Sequence, residues 1–153
     1  MKHSDLQDKS FWGFKYAFKG LWYAIKNESH FRFHIAAAVG TGMFTEYFDL
    51  NRTEYMFFAL AVCLVLICEL INTANENIVD LTTDTFHPQA ESAKDISAAF
   101  VLVSAFFALF VAAMLFLRDG LLNSLLDTFT RPKYIIYYIL TIIFVRGIKK
   151  NGK

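Results

Sequence analysis

The sequence predicts an all-α integral membrane protein, and three observations carry that prediction. With 56% hydrophobic and 17% aromatic side chains over 153 residues, the chain is more apolar than a soluble domain of this size usually is. Its apolar residues gather into runs that reach or approach the roughly 20 residues a helix needs to cross a hydrocarbon core of about 30 Å. Ahead of those runs lies an aromatic stripe at helical spacing, the mark of a helix lying on a membrane surface. Fifteen basic and fourteen acidic residues leave a formal charge of +1, so no overall basic field points to nucleic acid. Two prolines and seven glycines exclude collagen-like repetition and low-complexity linkers. The first ten residues are polar and lack the pattern of a secretory signal.

The surface helix is expected at about 10–28. Phe11, Phe14, Phe18, Leu21, Trp22 and Ile25 fall at offsets 0, 3, 7, 10, 11 and 14, one face of a helix flanked by Lys15, Lys19 and Lys26. Trp12, Trp22 and Tyr23 suit headgroup depth. The first span, about 33–50, is the weakest. Phe33 to Thr45 is only thirteen residues between Arg32 and Glu46 and borrows Tyr47, Phe48 and Leu50. The second, about 55–79, is apolar as far as Cys68 and then carries polar residues at intervals; the third, about 96–117, contains no charge. A last run, Tyr134 to Val145, suits a short span at about 132–147 begun by Pro132, with Arg131, Lys133 and Arg146 snorkelling, or else an interfacial helix. Three to four spans follow, divided between a membrane domain at 1–117 and a C-terminal extension at 118–153.

Lysine and arginine crowd the segment before the first span (Lys2, Lys9, Lys15, Lys19, Lys26, Arg32), while the next loop offers only Arg52. This places the N-terminus in the cytoplasm. The loop from Asp80 to Asp95 is then cytoplasmic, and so is the basic tail Arg146, Lys149, Lys150 and Lys153 if the last run spans. Cys63 and Cys68, five residues apart, point to different helix faces and read as small apolar packing residues rather than a disulfide.

The chemistry is concentrated in the second span. Glu69, Asn72, Glu76 and Asp80, at offsets 0, 3, 7 and 11, share an arc of about 80° on one helix face. Each acid at membrane depth costs at least a few kcal/mol, roughly, so the stripe requires a cation, a water-filled site or protonation. An interhelical hydrogen-bond seam would suit Asn72 and Thr73, but three acids make a poor adhesive. Glu69 is deepest, and Asp80 lies about 16 Å away near the cytoplasmic end. There Lys94 and His87 offer a cation and a neutral donor, beside Asp95, where an anionic, phosphate-bearing ligand with Mg²⁺ can sit, and Glu28 and Arg32 lie near the same surface. No glycine falls between Asp80 and Asp95, so a P-loop is excluded. In its place the sequence suggests lysine, a carboxylate-held metal and free N–H groups at the start of the third span, near Ser92 to Asp95.

The run Glu69-Leu70-Ile71-Asn72-Thr73-Ala74-Asn75-Glu76-Asn77-Ile78-Val79-Asp80, followed by His87-Pro88 and Ala93-Lys94-Asp95, resembles the small prokaryotic diacylglycerol kinase and undecaprenol kinase family. Phe14-Lys15-Tyr16-Ala17-Phe18-Lys19-Gly20 and Glu28 to His34 fit the same pattern upstream, so the resemblance covers roughly residues 10 to 117. It implies a lipid kinase of the bacterial inner membrane, a homotrimer with three spans per chain whose active sites are shared between neighbours at the cytoplasmic interface. By that resemblance Glu69 is the general base, Asn72 orients the reacting groups and Lys94 neutralises phosphate charge. Glu28 and Glu76 hold the Mg²⁺ bridging the phosphates of ATP, and Tyr16, His87, Lys94 and Asp95 help place the nucleotide. The lipid enters beneath the surface helix, against Phe14, Phe18 and Trp22, and reaches Glu69.

Undecaprenol is the favoured acceptor, because Phe31-Arg32-Phe33-His34 and the His87-Pro88 loop look more like that branch, with diacylglycerol second. A proton- or cation-conducting oligomer using Glu69, Glu76 and Asp80 as relay groups is the alternative from another class, and a structural membrane protein with a polar packing seam is a third. Two features depart from the pattern. Asn75 stands where an apolar residue is expected, as a lipid-facing cost or an interchain contact, and 36 residues continue past Leu117.

Overall fold

The computed structural model describes residues 3–83, 85–117 and 121–147, with side chains from residue 13 onward except that of Phe129. The side chains of Lys2, Lys9, Phe11 and Trp12 and the tail lysines Lys149, Lys150 and Lys153 lie outside the described residues. The described chain is helical: α1 (His3–Asn27), α2 (Ser29–Phe44), a 3-10 turn (Thr45–Tyr47), α3 (Arg52–Thr82), α4 (Pro88–Phe116), α5 (Leu121–Thr130) and α6 (Pro132–Gly147).

The helices α3 and α4 form the central hairpin, and both are long and apolar enough to cross a membrane. Small residues make the close approach possible. Ala61, Val65, Glu69 and Thr73 are the buried positions of α3, one per turn, and Ser97, Ser104 and Val111 face them from α4 at every second turn. The outward faces carry Phe57, Leu60, Ile67, Phe106, Leu109 and Phe110, all exposed. An apolar face of that extent belongs in lipid rather than water.

Polar contacts fix the register of the hairpin at its far end. The Asn75 amide donates to Ala93 O and to Ser97 Oγ, both at 3.0 Å. Asn75, unexpected at this position in the sequence pattern, thus joins α3 to α4 within one chain. Asn75→Leu is expected to lower stability by roughly 0.6 kcal/mol, the typical worth of such a bond inside a membrane, seen as a lower melting temperature in detergent. An unchanged melting temperature would show that the bond adds nothing to the seam.

The first span is revised at both ends. Its helix begins at Ser29 and stops at Phe44. The residues expected to lengthen it instead turn a corner, because Asn51 and Glu54 form a capping box that starts α3. Asn51 Oδ1 accepts from the backbone N–H of Thr53 and Glu54, and Glu54 returns an acceptor to Asn51 N–H at 2.8 Å. Phe44, Phe48 and Phe116 pack with ring centroids 5.1 to 5.3 Å apart over the buried Leu50, Ala61 and Val111. That aromatic knot holds the corner.

Glu28 interrupts what would otherwise be one helix from α1 into α2. Its backbone is extended, at φ −102° and ψ 114°. Arg32, expected as a flanking surface charge, is buried at 5% exposure. It closes this break, donating to the carbonyls of Ile25 (2.9 Å) and Lys26 (3.2 Å) at the end of α1. The helix α1 begins at His3, earlier than the expected start at about residue 10, and leaves Phe14, Phe18 and Trp22 about two-thirds exposed. Cys63 is exposed instead of packed, and Cys68 is half-buried.

The helix α6 fills 132–147 and lies along α2. The preceding helix α5 went unanticipated, although Leu121, Leu122, Leu125 and Leu126 mark an apolar face. Arg131, between the two, pairs with Asp127 at 3.0 Å and stacks over the Tyr47 ring. The Asp127 hydrogen bond, with Tyr47 beside it, pushes the Arg131 guanidinium up from its ordinary value.

Candidate functional site

The acidic stripe of α3 is sorted into three environments by its depth. Glu69 is deepest and 5% exposed. Its Oε1 lies 3.0 Å from His34 Nε2, contributed by α2. Only helix packing could reveal this partner, because His34 is 35 residues away in sequence and no spacing rule links it to the stripe. An apolar groove of about 340 Å³ among α2, α3 and α4 has His34 on its lining, with Phe33, Val65 and Ala108 among its walls.

One turn further on, Asn72 and Glu76 are neighbours at i, i+4. Asn72 Nδ2 donates to Glu76 Oε1 at 2.8 Å, while Asn72 Oδ1 accepts from Ser97 Oγ at 2.7 Å. Ser97 is itself 3% exposed and is also within hydrogen-bonding distance of Asn75. The Asn72 amide plane is therefore set from both sides, which fixes the carboxylate of Glu76 with it. Ser97, like His34, is a polar position that sequence reasoning missed; its signal was an isolated serine one turn after Lys94, at the start of an apolar run.

The end of the stripe is wet. Asp80 pairs with Lys94 across the hairpin, and both are exposed enough to reach solvent. With Thr83, His87, Glu91 and Asp95 they line an open cleft of about 330 Å³. The helix start here differs from the expectation. The helix α4 begins at Pro88, with His87 as its N-cap, so the amides of Ser92 to Asp95 lie within the helix and offer no anion cradle. The true first turn is occupied as well: Gln89 N–H donates to His87 Nδ1 at 3.3 Å, and the N–H groups of Ala90 and Glu91 donate to His87 O. Phosphate binding in this cleft would rest on Lys94 and on bound cations.

The predicted residues therefore fall into two groups. Glu69, Asn72, Glu76, His87, Lys94 and Asp95 share one edge of the α3–α4 hairpin. Among the described residues no hydrogen bond or ion pair links the side chains of Tyr16 and Glu28 to them. Tyr16 is 61% exposed on α1 and lies beneath the Lys19 ammonium, 5.6 Å from the ring centroid. Glu28 sits at the α1–α2 break, and its side chain caps nothing. A second apolar cleft, of about 540 Å³, runs between α1 and α3. Phe14 and Phe18 line it, but Trp22 does not, and Tyr23 closes its end by donating to Asn77 Oδ1 at 3.3 Å.

Carboxylate oxygens are the donors a hard divalent cation prefers. Glu76 has one oxygen engaged by Asn72, and the Glu28 carboxylate has no hydrogen bond or ion pair among the described residues. Among those residues no three His, Cys, Asp or Glu come together as a metal cluster. One or two carboxylates suit an ion such as Mg²⁺, which takes most of its shell from phosphate and water.

Residues 15–116 match the model of a protein family described as prokaryotic diacylglycerol kinase. The chain is 35% identical over 115 residues to the undecaprenol kinase of Bacillus subtilis, covering 75% of this chain and 94% of that one. It is 38% identical over 105 residues to a diacylglycerol kinase of Synechocystis, covering 68% of this chain and 60% of the relative, less than two-thirds of its length. Against the diacylglycerol kinase of Escherichia coli it is 32% identical over 89 residues, 58% of this chain and 73% of the other.

Proposed function

Because this chain belongs to the prokaryotic diacylglycerol kinase family and is a lipid kinase, we propose that it transfers the γ-phosphate of ATP to the primary hydroxyl of undecaprenol, giving undecaprenyl phosphate. The observation that carries this reading is the placement of Glu69. It is a buried carboxylate on a helix long and apolar enough to cross a membrane, on a stripe that ends in a solvent-open cleft holding Lys94. A lipid hydroxyl and a water-soluble phosphate donor can approach such a stripe from opposite ends.

Phosphoryl transfer to an alcohol needs positioning, charge neutralisation and a base within hydrogen-bonding reach. Glu69 accepts the hydroxyl proton, with His34 holding its carboxylate. Asn72, fixed by Ser97, orients the reacting groups, and Lys94 leaves Asp80 for phosphate oxygens as the nucleotide enters beside His87 and Asp95. Mg²⁺, when bound, neutralises the phosphates, and Glu76 and Glu28 are the residues that would hold it. The complete site is assembled in a homotrimer, with α1 and its break supplied across the interface. The lipid lodges against Phe14 and Phe18 in the cleft beneath α1, with Trp22 at headgroup depth. The enzyme resides in the bacterial inner membrane with its N-terminus and cleft facing the cytoplasm.

Undecaprenol is preferred because the Bacillus subtilis relative is matched over nearly its whole length. Diacylglycerol, giving phosphatidic acid, is the second reading, favoured by the slightly higher identity to the Synechocystis enzyme. The test is transfer of labelled γ-phosphate from Mg-ATP by purified protein in mixed micelles, offering both lipids in parallel. Label in undecaprenol is the expected result. Label in diacylglycerol alone overturns the choice of acceptor, and label in neither overturns the kinase mechanism assigned to these residues.

A further inference from the structure

The C-terminal extension lies beyond the residues matched by the family, yet it contacts α2 from end to end. Lys133 pairs with Glu46, Tyr134 OH donates to Met43 O at 3.0 Å, Tyr137 OH donates to Ala36 O, and Arg32 donates to Val145 O at 3.5 Å. The partners descend along α2 as they ascend along α6, so the two helices are antiparallel. Both have 16 residues, about 24 Å. The two helices approach closely at a glycine. A Cβ at Gly40 would lie 2.9 Å from Tyr137 OH and 3.0 Å from a ring carbon, so a side chain there displaces the ring. On its other side α6 exposes Ile135, Ile136, Ile139, Leu140, Ile142 and Ile143. An apolar face this continuous belongs in lipid, and the helix shortfall is met by thinning of the bilayer, with Lys133 and Arg146 snorkelling.

Arg32 links this helix to the corner at Glu28. Its guanidinium binds the last carbonyls of α1 on one side of the break and a carbonyl in the last turn of α6 on the other. A cation at helix C-termini is favoured by their dipoles. We propose that α6 is a membrane-crossing clamp, antiparallel to α2 and seated on Gly40, which through Arg32 holds the break that presents Glu28. Its consequence for catalysis rests on the reading of Glu28 as a nucleotide-side metal ligand; its topology does not.

Two measurements test it. In a Cys63→Ala/Cys68→Ala background, Ser4→Cys and Asn151→Cys are labelled with a membrane-impermeant maleimide in right-side-out and inverted vesicles. Labelling of both sites from the same side is expected, and labelling from opposite sides overturns the clamp whether or not the protein is active. In the kinase assay, Gly40→Leu is expected to raise KM for Mg-ATP about tenfold with kcat within twofold, and adding Tyr137→Ala to make room is expected to restore it. Loss of folding in Gly40→Leu that Tyr137→Ala reverses supports the same contact. A Gly40→Leu protein with native KM, or a defect that Tyr137→Ala leaves untouched, overturns it. A wild-type chain that phosphorylates no lipid removes the catalytic consequence alone, and the labelling result then decides the clamp.

Discussion

Glu69→Gln is expected to lower kcat for lipid phosphorylation by about 10²- to 10⁴-fold, the usual worth of a positioned general base, while nucleotide affinity stays within about twofold. The substitution is nearly isosteric at a site that is 5% exposed, so packing against α2 and α4 survives. What it removes is the oxygen able to take a proton. Glutamine can still face His34, and its carbonyl can still accept there, so the apolar surroundings are undisturbed. His34→Ala is the milder companion: it leaves the carboxylate chemically intact but without its partner at 3.0 Å, and a loss of about tenfold in kcat is expected. The measurement is single-turnover transfer together with nucleotide binding by the same preparations. Wild-type turnover in Glu69→Gln would remove the residue from the reaction.

Glu76→Gln is expected to act on the other substrate, raising KM for Mg-ATP about 10- to 100-fold, in line with disturbed metal sites generally. The amide keeps an oxygen that can accept from Asn72 Nδ2, so the contact that orients Asn72 is preserved while the charge is lost. An effect on KM thus reports the charge rather than the scaffold. Titration with Mg²⁺ at fixed ATP should show the same shift in the half-saturating metal concentration. If metal dependence remains native, Glu76 serves only as the acceptor for Asn72.

The acidic stripe was legible because three carboxylates and an amide at helical spacing in an apolar run are too costly at membrane depth to stand there without a task. The helix α1 was legible because an aromatic face at offsets of three and four is a local pattern. What escaped lies in tertiary contacts. His34 meets Glu69 and Ser97 meets Asn72 only once helices pack, and neither residue is unusual on its own stretch of chain. The start of α4, expected near Ser92 to Asp95, was placed at least four residues too late because hydropathy falls off before the helix does. The sharper signal was Pro88 behind His87, a first-turn proline behind a capping side chain. Arg32 looked like a surface charge because arginine before an apolar run usually is one. A break in the helix four residues earlier left carbonyls for it to bind, and that break has no proline or glycine to announce it.

The lengths of the helices have a consequence of their own. The 16 residues of α2 give about 24 Å, while the 31 residues of α3 give about 46 Å, and the two start from the same corner. Where α2 ends, the chain bends away as α1, and α1 meets α3 at Asn77. The last turns of α3 and the first of α4 therefore stand above the surface helix like a post above a floor. In the proposed reaction, what arrives at Asp80 and Lys94 comes through water, and what arrives at Glu69 comes through lipid. The chain keeps its two solvents apart by counting turns, and about three of them separate the wet end of one straight helix from the dry one.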